Sequence, residues 1–246
     1  GVDDVSEIFV LIKELADYER LLDHVIATEE LLEETLFGEN SNVEVLLACD
    51  RIQAHSETYV GLVEVGVGVI PAWGGCKEML RRWNADPKSP KGPMGSIVKI
   101  FENLGTAKVA SSAQEARDMK FLLDHDRITM NRSRVLSDAK ETCLQLVDGY
   151  NPPDINEYHL PGPSGKAALD LAVSDLVKSG HATPHDVVVT DKLAYILTGG
   201  DTDFLDKVSE DKLLEMERES FVDLVKTEAT LERFEHMLTK GKPLRN

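Results

Sequence analysis

Residues 49–79 read CDRIQAHSETYVGLVEVGVGVIPAWGGCKEM, and the reading of this stretch decides the fold. Runs rich in valine and other β-formers occupy 52–54 and 58–69, and Gly61, Gly66 and Gly68 punctuate them. That pattern predicts short strands joined by tight turns. Pro71 and the Gly74-Gly75 pair then form a loop, and a helix is expected over 77–83.

Outward on the C-terminal side, 86–93 (DPKSPKGP) is a loop by composition and 94–104 reads as helical. Residues 108–110 are expected to be extended. Ser111 and Ser112 offer alternative capping boxes, with Gln114 and Glu115 at the third position, ahead of a helix to Lys120. Residues 131–147 form a long amphipathic helix, with Val135, Leu136, Ala139, Cys143, Leu146 and Val147 on one side. The proline-rich stretch NPPDINEYHLPGPS (151–164) is the best candidate boundary.

Beyond it the signals are helical. Ser164 can cap 165–178. Thr183-Pro184 is a cap followed by proline at the first helical position, with Gly199-Gly200 as the stop. Ser209 opens a helix expected to bury Leu214, Phe221, Leu224 and Val225. Leu231, Phe234 and Leu238 are expected to line a last helix ending at Gly241.

On the N-terminal side, Val5, Phe9, Ile12, Leu15 and Ala16 recur at helical spacing. Thr28, with Glu29 and Glu30 behind it, can start a second helix that Gly38 ends. The run 43–48 is ambiguous between strand and helix.

Composition narrows the function classes. With 44 acidic and 27 basic residues the chain carries a formal charge of −17, which disfavours nucleic-acid backbones and anionic membrane surfaces. No apolar run approaches the ~20 residues of a membrane-spanning helix. The acidic opening lacks the basic start of a secretory signal. Cys49, Cys76 and Cys143 are odd in number and widely spaced, which fits reduced thiols and a cytoplasmic setting. His181 and His185 are four apart, but Pro184 intervenes and no third ligand stands nearby, so no metal is expected.

The quoted stretch resembles the second half of a crotonase (enoyl-CoA hydratase/isomerase) active-site unit, of the kind fused to 3-hydroxyacyl-CoA dehydrogenases. The likeness continues through DRITMNRSRVLSDAK, LPGPSGKAALDLAV, LAYILTGGD, LLEMERESFVDLV and LERFEHMLTKGKPLRN, in order, and so covers 49–246. No G-x-G-x-x-G opens a βαβ unit, so the dinucleotide-binding part of such enzymes is not represented. Residues 1–48 instead resemble the N-terminal segment of GNAT acetyltransferases, and the whole reads as a chimera or rearranged fragment joined near Ala48. The resemblance implies a helix-dominated α/β fold in three pieces. These are an acetyltransferase-like helical segment (1–48), a crotonase-like second half with part of a ββα spiral (49–150) and a helical C-terminal module (151–246). Incomplete sheet cover implies a homo-oligomer.

The resemblance also carries chemistry. Crotonases place one catalytic glutamate six residues before the Asp of a C-D or A-D pair, and another seven before the Pro of an I-P-G-x-G-G loop. Here those positions are Glu44, six before Asp50, and Glu64, seven before Pro71. Together they make a candidate acid/base pair for adding water to an enoyl thioester. Glu44 also stands in an acid-rich segment where the spacing arises easily by coincidence. Glu64 is flanked by Val63 and Val65, which read either as a desolvating site or as a β-rich edge. Where the family has a glycine turn supplying an oxyanion donor, this chain has Asn40, Ser41 and Asn42, and Trp73 stands where the loop has a small residue. Loss of one oxyanion donor costs ~10²–10³ in rate, so weak turnover is expected. Acyl-CoA is the implied substrate, with no resident cofactor. Lys77 and Arg81, in a basic cluster with Arg82, Lys88 and Lys91, and the loop glycines Gly74 and Gly75 are the candidate contacts for it. The other reading is a non-catalytic chain whose family segments serve packing and assembly, with the basic cluster a solvated helix face.

Overall fold

A computed structural model describes residues 43–147 and 149–246. Helices dominate it. In chain order they are α1 (Val43–Ala48), α2 (Gly75–Ala85), α3 (Gly95–Gly105), α4 (Ala113–Asp118), α5 (Val135–Val147), α6 (Gly162–Lys178), α7 (Pro184–Leu197), α8 (Glu210–Val225) and α9 (Glu228–Lys240). Among the described residues the strands are short and paired in twos. β1 (Gln53–His55) runs parallel to β2 (Arg127–Thr129), and β3 (Glu157–Tyr158) antiparallel to β4 (Val208–Ser209).

Local chemistry fixes most helix ends where the sequence placed them. Ser112 caps α4 by accepting the Glu115 amide, while the Glu115 carboxylate turns back to Ser111, taking its N–H at 2.9 Å and its hydroxyl at 2.6 Å. The reciprocal arm of the capping box is thus shifted by one residue. Thr183 and Asp186 form a complete capping box at α7 with Pro184 at the first helical position. Ser209 caps α8, and Gly241 ends α9 in the left-handed conformation. α6 begins earlier than its serine suggests: it opens at Gly162, and the Ser164 hydroxyl donates to the Pro161 carbonyl inside the first turn. Gly162 is required there, because its φ is +58° and a Cβ would lie 2.0 Å from the Thr202 carbonyl oxygen.

The valine-rich run departs from expectation. Residues 58–69 are not a strand: an isolated bridge joins Val60 to Ala110, and Glu64–Val67 coil into a 3₁₀ turn. Gly61 passes so close to the 108–109 backbone that a Cβ would meet the Lys108 carbonyl at 2.5 Å. Gly68 adopts φ +90° as the C-cap of the turn. Glycines at these points break the strand period that the valines alone would suggest.

Three helices turn faces other than those the apolar spacing suggested. On α8 the buried side chains are Leu213, Met216, Glu217, Ser220 and Leu224, while Leu214 is exposed and Phe221 half-buried. On α9 Thr230 and Arg233 are buried, and Leu231 and Leu238 are exposed. On α5 Thr142 is buried and Leu136, Leu144 and Val147 are exposed. That helix is tied to the β1–β2 pair by polar contacts. Gln53 Nε2 donates to Thr129 Oγ1 at 2.7 Å, Thr129 Oγ1 donates to Asp138 Oδ2 at 2.7 Å, and Thr142 Oγ1 donates to Gln53 Oε1 at 3.3 Å.

One hydrophobic cluster runs from Leu47 to Leu224. It takes in Leu62, Ile70, Met79, Leu104 and Phe121 before the proline-rich stretch, and Leu160, Val189, Leu193, Leu197 and Leu213 after it. α7 packs on α2 and α3, and α8 packs on α2. No helix among the described residues is long and apolar enough to cross a membrane.

Candidate functional site

The segment 64–77 is the centre of the candidate site, and side chains from the last third of the chain hold it at two points. Glu64 opens the 3₁₀ turn, half-buried between exposed Val63 and buried Val65. Gly68 closes that turn, with its N–H donating to the Val65 carbonyl. The buried residues Val69, Ile70 and Pro71 follow, then the Ala72-Trp73-Gly74 turn, and Gly74 at φ +94° is the N-cap of α2.

The first clamp is a buried hydrogen-bond chain. Thr230 Oγ1 donates to the Gly68 carbonyl at 2.7 Å, and His185 Nε2 lies 2.8 Å from the same hydroxyl. The hydroxyl proton is committed to Gly68, so His185 Nε2–H is the donor and the neutral ring has its proton there. Burial, with the Arg233 charge next in weight, pushes the His185 pKa below the ordinary histidine value and keeps the ring neutral. Arg233, 2% exposed, donates to Asp186 Oδ1 at 2.8 Å, Thr183 Oγ1 at 3.1 Å and Asn246 Oδ1 at 2.8 Å. Burial opposes ionisation of Asp186, but the Thr183 amide and the Arg233 guanidinium outweigh it and hold its pKa below the usual carboxylate value.

The second clamp is Glu217. Its carboxylate is fully buried and accepts the Gly74 N–H and the Lys77 N–H, each at 2.7 Å. Backbone donors at the start of a helix favour an anion, and here the chain's own carboxylate supplies it.

Of the cations selected from the sequence, Lys77, Arg81 and Arg82 are engaged by the protein's own groups. Lys77 Nζ pairs with Glu78 and lies 3.5 Å from Glu210 Oε2. Arg81 Nε donates to Glu78 Oε2 at 2.7 Å. Arg82, 1% exposed, donates to the Phe121 carbonyl at 3.3 Å and, with 2.6 Å geometry, to the Leu47 carbonyl at the end of α1. Removal from water is the main cause lowering its pKa, with the neighbouring Arg81 charge adding to it. Lys88 and Lys91 are exposed, and Lys88 pairs with Asp124 at 3.3 Å.

Glu64, Gly74, Gly75, Lys77 and Arg81 therefore lie along one continuous stretch of turn, loop and helix. Glu44 lies on α1, whose last turn Arg82 anchors to α2; the Glu44 side chain is outside the described residues, as are Asn40, Ser41 and Asn42. Trp73 is not core. It is 84% exposed and borders a groove of about 850 Å³ between the 72–73 turn and α8. Among the described residues no group of three or more His, Cys, Asp or Glu side chains could hold a metal ion.

Apolar spacing alone missed Glu217, Thr230 and Arg233. A signal for Glu217 was available: it shares its helix face with Leu213, Ser220 and Leu224, four, three and seven residues away. A carboxylate at such a position must find donors or stay neutral.

No protein-family model matches the chain. The chain is 44% identical over 208 residues to a Bacillus subtilis (strain 168) protein named as a probable 3-hydroxyacyl-CoA dehydrogenase, covering 82% of this chain and 26% of that protein. It is 27% identical over 192 residues to a Rickettsia prowazekii (strain Madrid E) protein named as a fatty acid oxidation complex trifunctional enzyme, covering 78% of this chain and 23% of that one. The chain thus spans about a quarter of the length of the curated relatives it matches. A crystal structure of carnitinyl-CoA hydratase from Mycobacterium avium superposes with a TM-score of 0.46 at 18% identity, over 82% of this chain and 56% of that one.

Proposed function

We propose that this chain is the acyl-thioester-handling portion of a fatty-acid-oxidation protein, with Glu64 as the carboxylate that moves the proton. The observation that carries the reading is the 44% identity over 208 residues to part of the Bacillus subtilis protein. The crotonase-like spacing of Glu64 and Pro71 within 49–79 supports it, and in this reading the β1–β2 pair with its neighbouring helices is part of a ββα spiral.

The reaction class is hydration of an enoyl-CoA. A carboxylate takes a proton from water as the water oxygen bonds to the β-carbon. The thioester oxygen collects charge against N–H donors, and the α-carbon is protonated. Glu64 is the first candidate for the proton transfer, and Glu44, on the helix that Arg82 anchors, is the second. Lys77 and Arg81 are the candidate cations for the CoA phosphates. Binding there requires exchange of their Glu78 and Glu210 partners for the ligand. Gly74 and Gly75 would approach the ligand as loop backbone, with the Gly74 amide first released by Glu217. The setting is cytoplasmic and the assembly a homo-oligomer, the latter supported by exposed Leu144, Val147, Leu171 and Leu238.

One observation favours a second reading, a non-catalytic acyl-CoA-family chain: the candidate ligand contacts Gly74, Lys77 and Arg81 are already satisfied internally. Loss of crotonyl-CoA absorbance tests both. Slow hydration abolished by Glu64→Gln supports the first reading. Crotonyl-CoA binding by calorimetry without turnover supports the second. Neither binding nor turnover would overturn both.

A further inference from the structure

We infer that the groove between the 72–73 turn and α8 is a binding site for an aryl-bearing monocarboxylate, a flat apolar body with one anionic end. The inference does not depend on the acyl-thioester reading. The groove encloses about 850 Å³, a volume suited to a small organic ligand. Its apolar lining includes Trp73, Leu214, Phe221 and Val222. Trp73 is 84% exposed, so most of the indole is available to a ligand. Two aromatic side chains beside one cavity favour a planar partner, through stacked or edge-on ring contacts that an alkyl chain cannot reproduce.

Charge selects the head group. Among the charged residues lining the groove, Lys212 donates to Glu215 Oε2 at 2.7 Å, and the pair neutralises itself. Arg218 makes no hydrogen bond or ion pair among the described residues, so its planar fork is available to a carboxylate. Asp211 lines the same groove seven residues earlier, about 10 Å along the helix axis. At that distance it makes no contact with Arg218, whose charge Glu215 feels without a hydrogen bond to it, and it disfavours a second negative charge on the ligand. The site therefore fits one anion at the Arg218 end and an uncharged aromatic body.

Tryptophan fluorescence reads this directly, because the other indole, Trp83, is 7% exposed and reports little of the surface. The probes are 4-phenylbutyrate, octanoate and 4-phenylbutylamine. Saturable change with 4-phenylbutyrate is expected, with octanoate several-fold weaker and the amine inactive. Arg218→Gln should weaken 4-phenylbutyrate roughly tenfold, the loss of one charge-assisted contact. Trp73→Ala, followed by saturation-transfer NMR, should weaken it roughly fivefold. Both positions are exposed, so unchanged urea unfolding of the variants certifies their fold. Three results would each overturn the inference. One is no saturable change with 4-phenylbutyrate. Another is octanoate binding as tightly, which would mark an aliphatic-chain groove. The third is a Trp73 signal that varies with protein concentration alone, which would mark a face buried between copies of the chain.

Discussion

Glu217 and Gly74 meet across 143 residues of sequence: the fully buried carboxylate on α8 accepts the N–H of the glycine that opens α2. The same carboxylate accepts the Lys77 N–H, so one side chain satisfies two of the donors that a helix start leaves without partners. Glu217→Ala removes both acceptors from a buried site and should destabilise the protein by about 2–4 kcal/mol. Glu217→Gln, which keeps one carbonyl oxygen, should cost less. Urea unfolding midpoints decide this. Identical midpoints for wild type and Glu217→Ala would mean that water replaces the carboxylate without loss.

Thr230→Val tests the other clamp. Valine keeps the shape but leaves the Gly68 carbonyl and the His185 Nε2–H without their partner in a buried site. A loss of about 2–3 kcal/mol is expected, against less than about 1 kcal/mol for Thr230→Ser, which retains the hydroxyl and gives up a methyl group. Amide exchange should quicken across 64–68 in the valine variant and stay near wild type in the serine variant. Equal exchange in both would detach Thr230 from the Glu64 turn.

The His185 ring supplies a pH dependence. Its folded pKa is lowered by burial and by Arg233, so between that value and 6.5 the unfolded chain binds more protons than the folded one. Stability therefore rises with pH through this window. His185 contributes its full stabilisation above 6.5, and that contribution is gone once pH falls below the folded value. Asp186 and Glu232 partly offset the Arg233 charge at the ring. Denaturation curves from pH 5 to 8 should show a decline on the acid side of 6.5 that is shallower in His185→Gln. An unchanged slope in that variant would place the pH response elsewhere.

Caps were legible in the sequence because they are local. Thr183-Pro184, Ser112 with Glu115, Ser209 and Gly241 each act within one helical turn, and all four stand where their spacing placed them. The 58–69 run misled because valine content suggests a strand, whereas Gly61 and Gly68 are held by partners far away, the 108–109 backbone and α9. Helix faces failed for a related reason. Leu214 and Leu238 are exposed, while Glu217 and Arg233 are buried with their hydrogen bonds made. What a polar residue on the inward face does becomes readable when its distant donor or acceptor is known. At the candidate site the Glu64 spacing and the apolar helix face that Glu217 shares were visible, and the distant partners of Glu217 and Thr230 were not.

The proline-rich stretch gives a last test, of how independent the C-terminal helices are. Residues 151–155 are exposed and precede the first anchors of the stretch, Asn156 with Glu210 at 3.2 and 3.1 Å and Glu157 with Lys207 at 2.7 Å, so limited proteolysis should cut there first. The two products should not separate under native conditions. Val189, Leu193 and Leu213 share one buried cluster with Met79, Ile100 and Leu104, and α7 and α8 both pack on α2. Glu217 and Thr230 add polar ties across the cut. Native gel filtration of nicked protein should therefore show the elution of intact chain, with two bands appearing under denaturing electrophoresis. Elution of a folded, soluble C-terminal fragment by itself would show instead that the helices after the stretch carry a sufficient core of their own.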